Sequence, residues 1–285
     1  MGPRNRVGLV IGAGGITGGA WLAGTLAGIT AETGWEPGTA DLLVGTSSGS
    51  VMAALVASGL TARCLMPPDK DPAGAWPLHD LVRRESYPGG GALAFLAPRS
   101  LGLLLVAITS SGSSWTRGTR LLSALAPCGR VPTEAIRRVV HKRVPRGWVQ
   151  HPACWIVSSE YGSGRRVVFG RDRCADLMSA VAASCAIPGV FLPVAIGGRE
   201  YMDGGVASPT NADLAGLAAV DLVICLESAR PPTATEKPQS GRVVGGSCPG
   251  LGLPPAGPRD RRPGGNGNRG SPDRTGPGRA GCDRL

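Results

Sequence analysis

Apolar residues occur in short blocks separated by glycine-rich breaks, and the blocks alternate between two periods. Val7-Gly8-Leu9-Val10-Ile11 is an unbroken apolar run, which predicts a buried strand. Ala20 to Thr33 then carries Leu22, Leu26 and Ile29 at helical spacing, with Gly34 placed to stop the helix. Leu42 to Val44 repeats the strand pattern, and Val51, Met52, Leu55 and Val56 repeat the helical one up to Gly59. Further on, Thr133 to Val144 predicts an amphipathic helix with Ile136, Val139 and Val140 inside and Arg137, Arg138 and Lys142 outside. Trp155-Ile156-Val157 and Arg166-Val167-Val168-Phe169 predict two strands joined around Gly162-Ser163-Gly164. Ala175 to Ala186 predicts a small-residue helix ended by Pro188. Val190 to Ile196 and Arg199 to Met202 lead to Asp203, Asn211 to Ala219 predicts a helix, and Val220 to Leu226 is the last strand.

The intervening stretches carry less order. Glu36 to Ala40 reads as a turn, Met66 to Pro72 as a loop and Pro88-Gly89-Gly90-Gly91 as a break. Ala92 to Ile108 is strongly apolar, but Pro98 and Arg99 interrupt it short of a membrane span. It predicts core helix packing, with an acyl-chain channel or lid as the functional reading. From Ser228 onward Gly, Pro and Arg dominate and periodicity vanishes. That pattern predicts a disordered tail, or a reading frame translated out of phase.

The chain of 285 residues and 29.0 kDa is long enough for one large α/β domain or two small ones. Its net charge of +10 is unevenly placed. Ten Lys/Arg against four Asp/Glu lie from Ser228 onward, which is +6 and leaves +4 for the rest. With no aromatic residue in the tail for base stacking, the charge does not predict nucleic-acid binding. Weak peripheral attraction to anionic membrane stays open. The eight cysteines form no C-x-x-C and have no histidine cluster beside them, which argues against zinc. Cys154, Cys185 and Cys225 sit in apolar runs and read as small buried hydrophobes in a reducing compartment. Arg4 and Arg6 precede an apolar run too short for a signal peptide, and Arg6 stands where myristoylation needs Ser or Thr. A cytoplasmic location is expected.

The chemistry concentrates at two breaks. Gly45-Thr46-Ser47-Ser48-Gly49 fits G-x-S-x-G between a strand and a helix, the context a nucleophile elbow requires. Ser47 is the candidate nucleophile. Gly12-Ala13-Gly14-Gly15-Ile16-Thr17-Gly18-Gly19 lies between the first strand and helix, where bare N–H groups can hold a phosphate or an oxyanion. A dinucleotide site would need an acidic residue ending the second strand, and Val44-Gly45-Thr46-Ser47 has none. His79, His141 and His151 all precede Asp203 and none lies in a motif, so each reads as a surface or loop histidine.

These features, with Ala183-Ser184-Cys185-Ala186-Ile187-Pro188 and the turn Asp203-Gly204-Gly205, resemble the patatin-like phospholipase family. The resemblance covers residues 5–227 as one acyl-hydrolase domain, leaving 228–285 as the tail. It implies a three-layer α/β/α fold with a central, mostly parallel sheet. It also implies a Ser47–Asp203 dyad that needs no histidine, and an oxyanion hole from Gly12, Gly14 and Gly15. The substrate implied is a phospholipid, lysophospholipid or other lipid ester, with no metal or organic cofactor. Thr17 departs from the family, which has Lys or Arg there. Two rival expectations are a lipid-binding relative without turnover and a nucleotide-binding α/β domain.

Overall fold

The computed structural model of the chain describes residues 5–67, 123 and 129–228. The apolar stretch 92–108, the break at 88–91, His79 and the tail beyond Ser228 lie outside the described residues.

Each βαβ-like block of the sequence becomes a strand and a helix on one sheet. The strands are β1 (Val7–Ile11), β2 (Leu42–Thr46), β3 (Cys154–Glu160), β4 (Arg166–Phe169), β5 (Val194–Ile196), β6 (Arg199–Asp203) and β7 (Leu222–Leu226). The helices are α1 (Gly15–Thr33), α2 (Ser48–Ala57), α3 (Glu134–His141) and α4 (Leu177–Ser184). The sheet path is β5-β6-β3-β2-β1-β7, with β4 also paired to β3. β7, β1, β2 and β3 run parallel, while β4 and β6 are antiparallel to β3 and β5 to β6. This is a mixed α/β fold with a central, mostly parallel sheet.

The parallel strands β1, β2 and β3 are read from unbroken apolar runs, as expected of strands covered on both faces, whereas β7 leaves Leu222, Val223 and Cys225 exposed. One face carries the main core, where Leu9, Ile11, Leu43 and Ile156 meet apolar residues from α1, α2, α3 and α4. On the other face Val10, Leu42, Val44 and Val157 meet Leu214 and Ala215. Among the described residues, then, all four helices lie on one face and a short 3-10 segment covers the other. No helix among the described residues is long and apolar enough to cross a membrane.

Three expectations need correction. The stretch read as a helix from Asn211 to Ala219 is a 3-10 segment, Ala212–Leu217. It contains Gly216 and buries only Leu214 and Ala215, too little apolar surface to hold an α-helix. Helix α1 begins at Gly15, inside the glycine run rather than after it. Gly19 faces Ser48 and Met52 of α2, where a Cβ would stand 3.5 Å from Ser48 Cβ. Cys225, expected as a buried hydrophobe, is exposed, and Cys174 is disulfide-bonded.

Candidate active site

Strand β2 is buried at every position and ends at Thr46. Ser47 then takes φ 53° and ψ −125°, and α2 starts at Ser48. Only Ser47 and Asn211 among the described non-glycine residues have positive φ. Such a backbone costs on the order of 1–3 kcal/mol and persists only where its surroundings fix it. Here they do. The Ser47 N–H donates to Ser184 Oγ at 2.9 Å, and that hydroxyl donates to the Val157 carbonyl at 2.6 Å. The Ser47 carbonyl accepts from the Ser50 hydroxyl at 2.6 Å and the Ser50 N–H at 2.8 Å. The Cys185 thiol donates to it as well, at 3.1 Å. The flanking glycines are steric necessities. A Cβ at Gly45 would stand 2.6 Å from Ser50 Cα, and one at Gly49 would overlap the Ile11 carbonyl oxygen.

Asp203 reaches this serine through sheet register. On β3, Ile156 to Ser159 pair with β4 along one edge. The other edge pairs first with β2, up to Val157 opposite Thr46, and then with β6, starting at Ser158 opposite Asp203. A strand has two edges, so β2 and β6 share one end to end. The residue after Thr46 therefore meets Asp203. The Ser47 hydroxyl donates to Asp203 Oδ2 at 2.6 Å, and the Gly205 N–H donates to Oδ1 at 2.7 Å. Both Ser47 and Asp203 are buried. Burial pushes the Asp203 carboxyl up to about 6, against the opposing pull of the Ser47 hydroxyl and the Gly205 N–H. Of the histidines, His141 is exposed at the end of α3, and His151 accepts from the Ala153 N–H through Nδ1. Neither bonds to Ser47 or Asp203.

The glycine loop lies beside Ser47. Gly14 and Gly15 open α1, Gly15 at φ 61°. Among the described residues the N–H groups of Gly14, Gly15 and Ser48 have no acceptor. The N-termini of α1 and α2 thus both present free donors next to Ser47, where negative charge is favoured. Gly12 is different. Its N–H donates to the Leu226 carbonyl at 2.9 Å, so the expectation that it serves as an oxyanion donor fails. The Ala13 N–H is likewise taken, by the Pro209 carbonyl at 2.8 Å. These two bonds fasten the loop rather than face a ligand.

Two cavities meet at Ser47, Gly14 and Gly15. One, of about 560 Å³, runs between α1, α2 and α3 and is lined by Ala23, Val51, Met52, Leu65, Ile136 and Phe191. The other, of about 400 Å³, adds Asp203, Gly205 and Pro188. Thr17 lines the first, so a hydroxyl stands there in place of the expected cation. A chain of methylenes suits the first cavity, and a departing group can leave through the second.

Ser47, Asp203, Gly14 and Gly15 are brought together, and Gly12 holds the loop. Reading the sequence missed Ser184 as the anchor of the Ser47 N–H and Asn211 as more than the start of a helix. Ser184 lay within a quoted motif, but nothing in the spacing says which hydroxyl turns toward Ser47.

Compared with known proteins, the chain matches the family model described as patatin-like phospholipase over residues 120–215. That span contains Ser184, Asp203 and Asn211, and the elbow and glycine loop lie before it. Among solved structures the chain is similar to VipD from Legionella pneumophila, with 16% sequence identity and a TM-score of 0.35. The similarity covers 72% of this chain and 47% of VipD, so the chain spans about half that protein's length.

Proposed function

We propose that this protein is a serine hydrolase of lipid esters of the patatin-like phospholipase kind, a reading supported by the family-model match over residues 120–215. The observation that carries the reading is the 2.6 Å bond from the Ser47 hydroxyl to Asp203, made on a strained elbow between two cavities. A Ser–Asp pair can run acyl transfer without histidine if the carboxylate accepts the serine proton and then donates it.

The steps balance as follows. An ester lies with its acyl chain in the apolar cavity and its carbonyl over Ser47. Asp203 takes the hydroxyl proton as Ser47 Oγ bonds to the carbonyl carbon. The carbonyl electron pair moves to oxygen, and the free N–H groups of Gly14 and Gly15 hold the resulting oxyanion. Losing one such donor typically costs about 3 kcal/mol of barrier. The intermediate collapses, the alkoxy bond breaks, and protonated Asp203 gives its proton to the leaving alcohol. Water enters, and Asp203 takes one of its protons as the water oxygen bonds to the acyl carbon. As the bond to Ser47 Oγ breaks, Asp203 returns that proton to Oγ, releasing the fatty acid and regenerating Ser47 and the carboxylate. A carboxyl pushed up to about 6 suits a group that must both accept and donate near neutral pH. A peripheral position on anionic membrane and a cytoplasmic location belong to the same reading.

The test is hydrolysis of short and long p-nitrophenyl acyl esters, together with covalent labelling by an alkyl fluorophosphonate. Wild type should turn over both esters and label. Ser47→Ala should do neither, and Asp203→Asn should lose on the order of 10²-fold or more in turnover. A folded wild type that neither hydrolyses esters nor labels would leave a lipid-binding role without turnover.

A further inference from the structure

Asn211 is fully buried, yet it lines neither cavity and touches neither reacting atom. It stands in the left-handed region, at φ 53° and ψ 34°. Asparagine tolerates that region better than other side-chain-bearing residues, so conformation alone accounts for part of its presence. The rest lies in its carboxamide. Nδ2 donates to Thr46 Oγ1 at 3.1 Å and to the Ser208 carbonyl at 2.7 Å. It also lies 3.5 Å from the Gly204 carbonyl. Thr46 immediately precedes Ser47, and Gly204 immediately follows Asp203. One amide therefore spans the ends of the two segments that carry the dyad.

The orientation of this amide is fixed from outside. Oδ1 accepts from Arg166 Nη1 at 3.3 Å, and arginine has donors only. Arg166 is in turn gripped by Asp213 through two bonds of 2.7 Å. The fork cannot rotate without breaking that bidentate pair, so the amide cannot flip, and its NH₂ stays toward Thr46 and Gly204. The Asn211 N–H is itself held by Ser208 Oγ at 3.1 Å.

We propose that Asn211 is a positioning residue for the hydrolysis, clamping the end of β2 to the turn after Asp203 so that Ser47 and Asp203 stay at bonding distance. The inference rests on the dyad reading above. β2 and β6 share an edge of β3 only end to end, with no ladder bonds between them, so something else must fix the gap. The Asn211 side chain does so. Small misplacements of reacting groups cost on the order of 10²-fold in rate, and the Asn211 clamp acts on that geometry alone.

Asn211→Gly tests this, because glycine keeps the left-handed backbone and deletes only the amide. Thr46→Val, close to isosteric, removes the acceptor from the other side. With p-nitrophenyl esters each variant should lower kcat on the order of tenfold to a hundredfold with KM unchanged, since the cavities are intact. Fluorophosphonate labelling of Ser47 should slow in proportion. The double variant should be no slower than the worse single, because both changes break one link. Should Asn211→Gly fail to fold, Thr46→Val alone carries the kcat and labelling prediction. A folded Asn211→Gly with wild-type kcat, a loss confined to KM, or additive losses in the double variant would each overturn the clamp. A wild type that neither labels nor turns over removes the dyad reading and the clamp with it. A wild type that labels as fast as its Asn211→Gly variant removes the clamp only.

Discussion

At the scale of single residues, Asp203 ties function to stability with opposite signs. Its folded value of about 6 lies above the ordinary 3.8, with burial as the main cause. As a base it must be ionised, so kcat/KM should rise with pH through about 6 and then level off. Stability runs the other way. Between about 4 and 6 the folded protein binds a proton that the unfolded chain has released. Stability therefore falls as pH rises across that window, and the whole cost is present at pH 7. A difference of about two pH units corresponds to about 3 kcal/mol. Asp203→Asn removes the buried charge and keeps an oxygen for the Gly205 N–H. It should lower turnover on the order of 10²-fold or more and yet raise Tm at pH 8, by about 5–10 °C for a domain of this size. That gain should shrink toward zero below pH 4, and thermal melts of both proteins from pH 4 to 8 check it. At this scale Ser47 was legible as a candidate by its flanking glycines, whereas the turn after Asp203 alone reads as an ordinary turn and Asp203 came in only with the family resemblance. The 2.6 Å contact between them was not legible from local pattern, because it comes from strand register between segments 156 residues apart. Resemblance supplied that pairing. Gly12 misled because a glycine pattern shows where backbone is bare, not which N–H groups another strand has already taken.

At the scale of elements, α2 and the end of β1 come closer at the elbow than a side chain allows. Gly49 sits on the first turn of α2 against the end of β1, where a Cβ would overlap the Ile11 carbonyl and stand 2.5 Å from that of Gly12. Backbone cannot yield as a flexible side chain can. Gly49→Ala should therefore push α2 off β1, cost about 1–3 kcal/mol, and move Ser47 relative to the free N–H groups of Gly14 and Gly15. Both a lower Tm and slower fluorophosphonate labelling are expected. A variant that melts like wild type and labels at its rate would show that the close approach is unnecessary. By contrast, a Cβ at Gly34 or Gly59 would meet nothing within 4 Å, and these two glycines serve only their positive φ at helix ends. The buried parallel strands were readable because strands covered on both faces leave unbroken apolar runs, whereas β6, Arg199–Asp203, has no such run and was read only as a lead-in to Asp203. The limits were less readable. α1 starts at Gly15, five residues before the expected Ala20, because the glycine run carries no apolar period to mark a helix. The segment after Asn211 fell short of an α-helix because its apolar positions cover only one small patch of sheet.

At the scale of the whole molecule, the last strand closes the site. β7 pairs with the full length of β1, and its final carbonyl, from Leu226, accepts the Gly12 N–H. Two residues on, the Ser228 hydroxyl donates to the Ala13 carbonyl at 3.2 Å. The glycine loop is thus fastened from β7, although the two segments lie at opposite ends of the described residues. The described residues belong to one compact unit that runs to Arg230. That unit reaches slightly beyond the boundary at 227 implied by the family resemblance. A chain ending at Arg230 should keep the Tm and the labelling rate of the full protein. A chain ending at Val220 should not, since β1 would become an open edge with a row of unpaired groups and the loop would lose both fastenings. Loss of labelling in both chains would place residues beyond Arg230 within the working domain. Retention in both would show that the loop holds its shape without β7, and the free donors of Gly14 and Gly15 would then owe nothing to the strand that now anchors their neighbours.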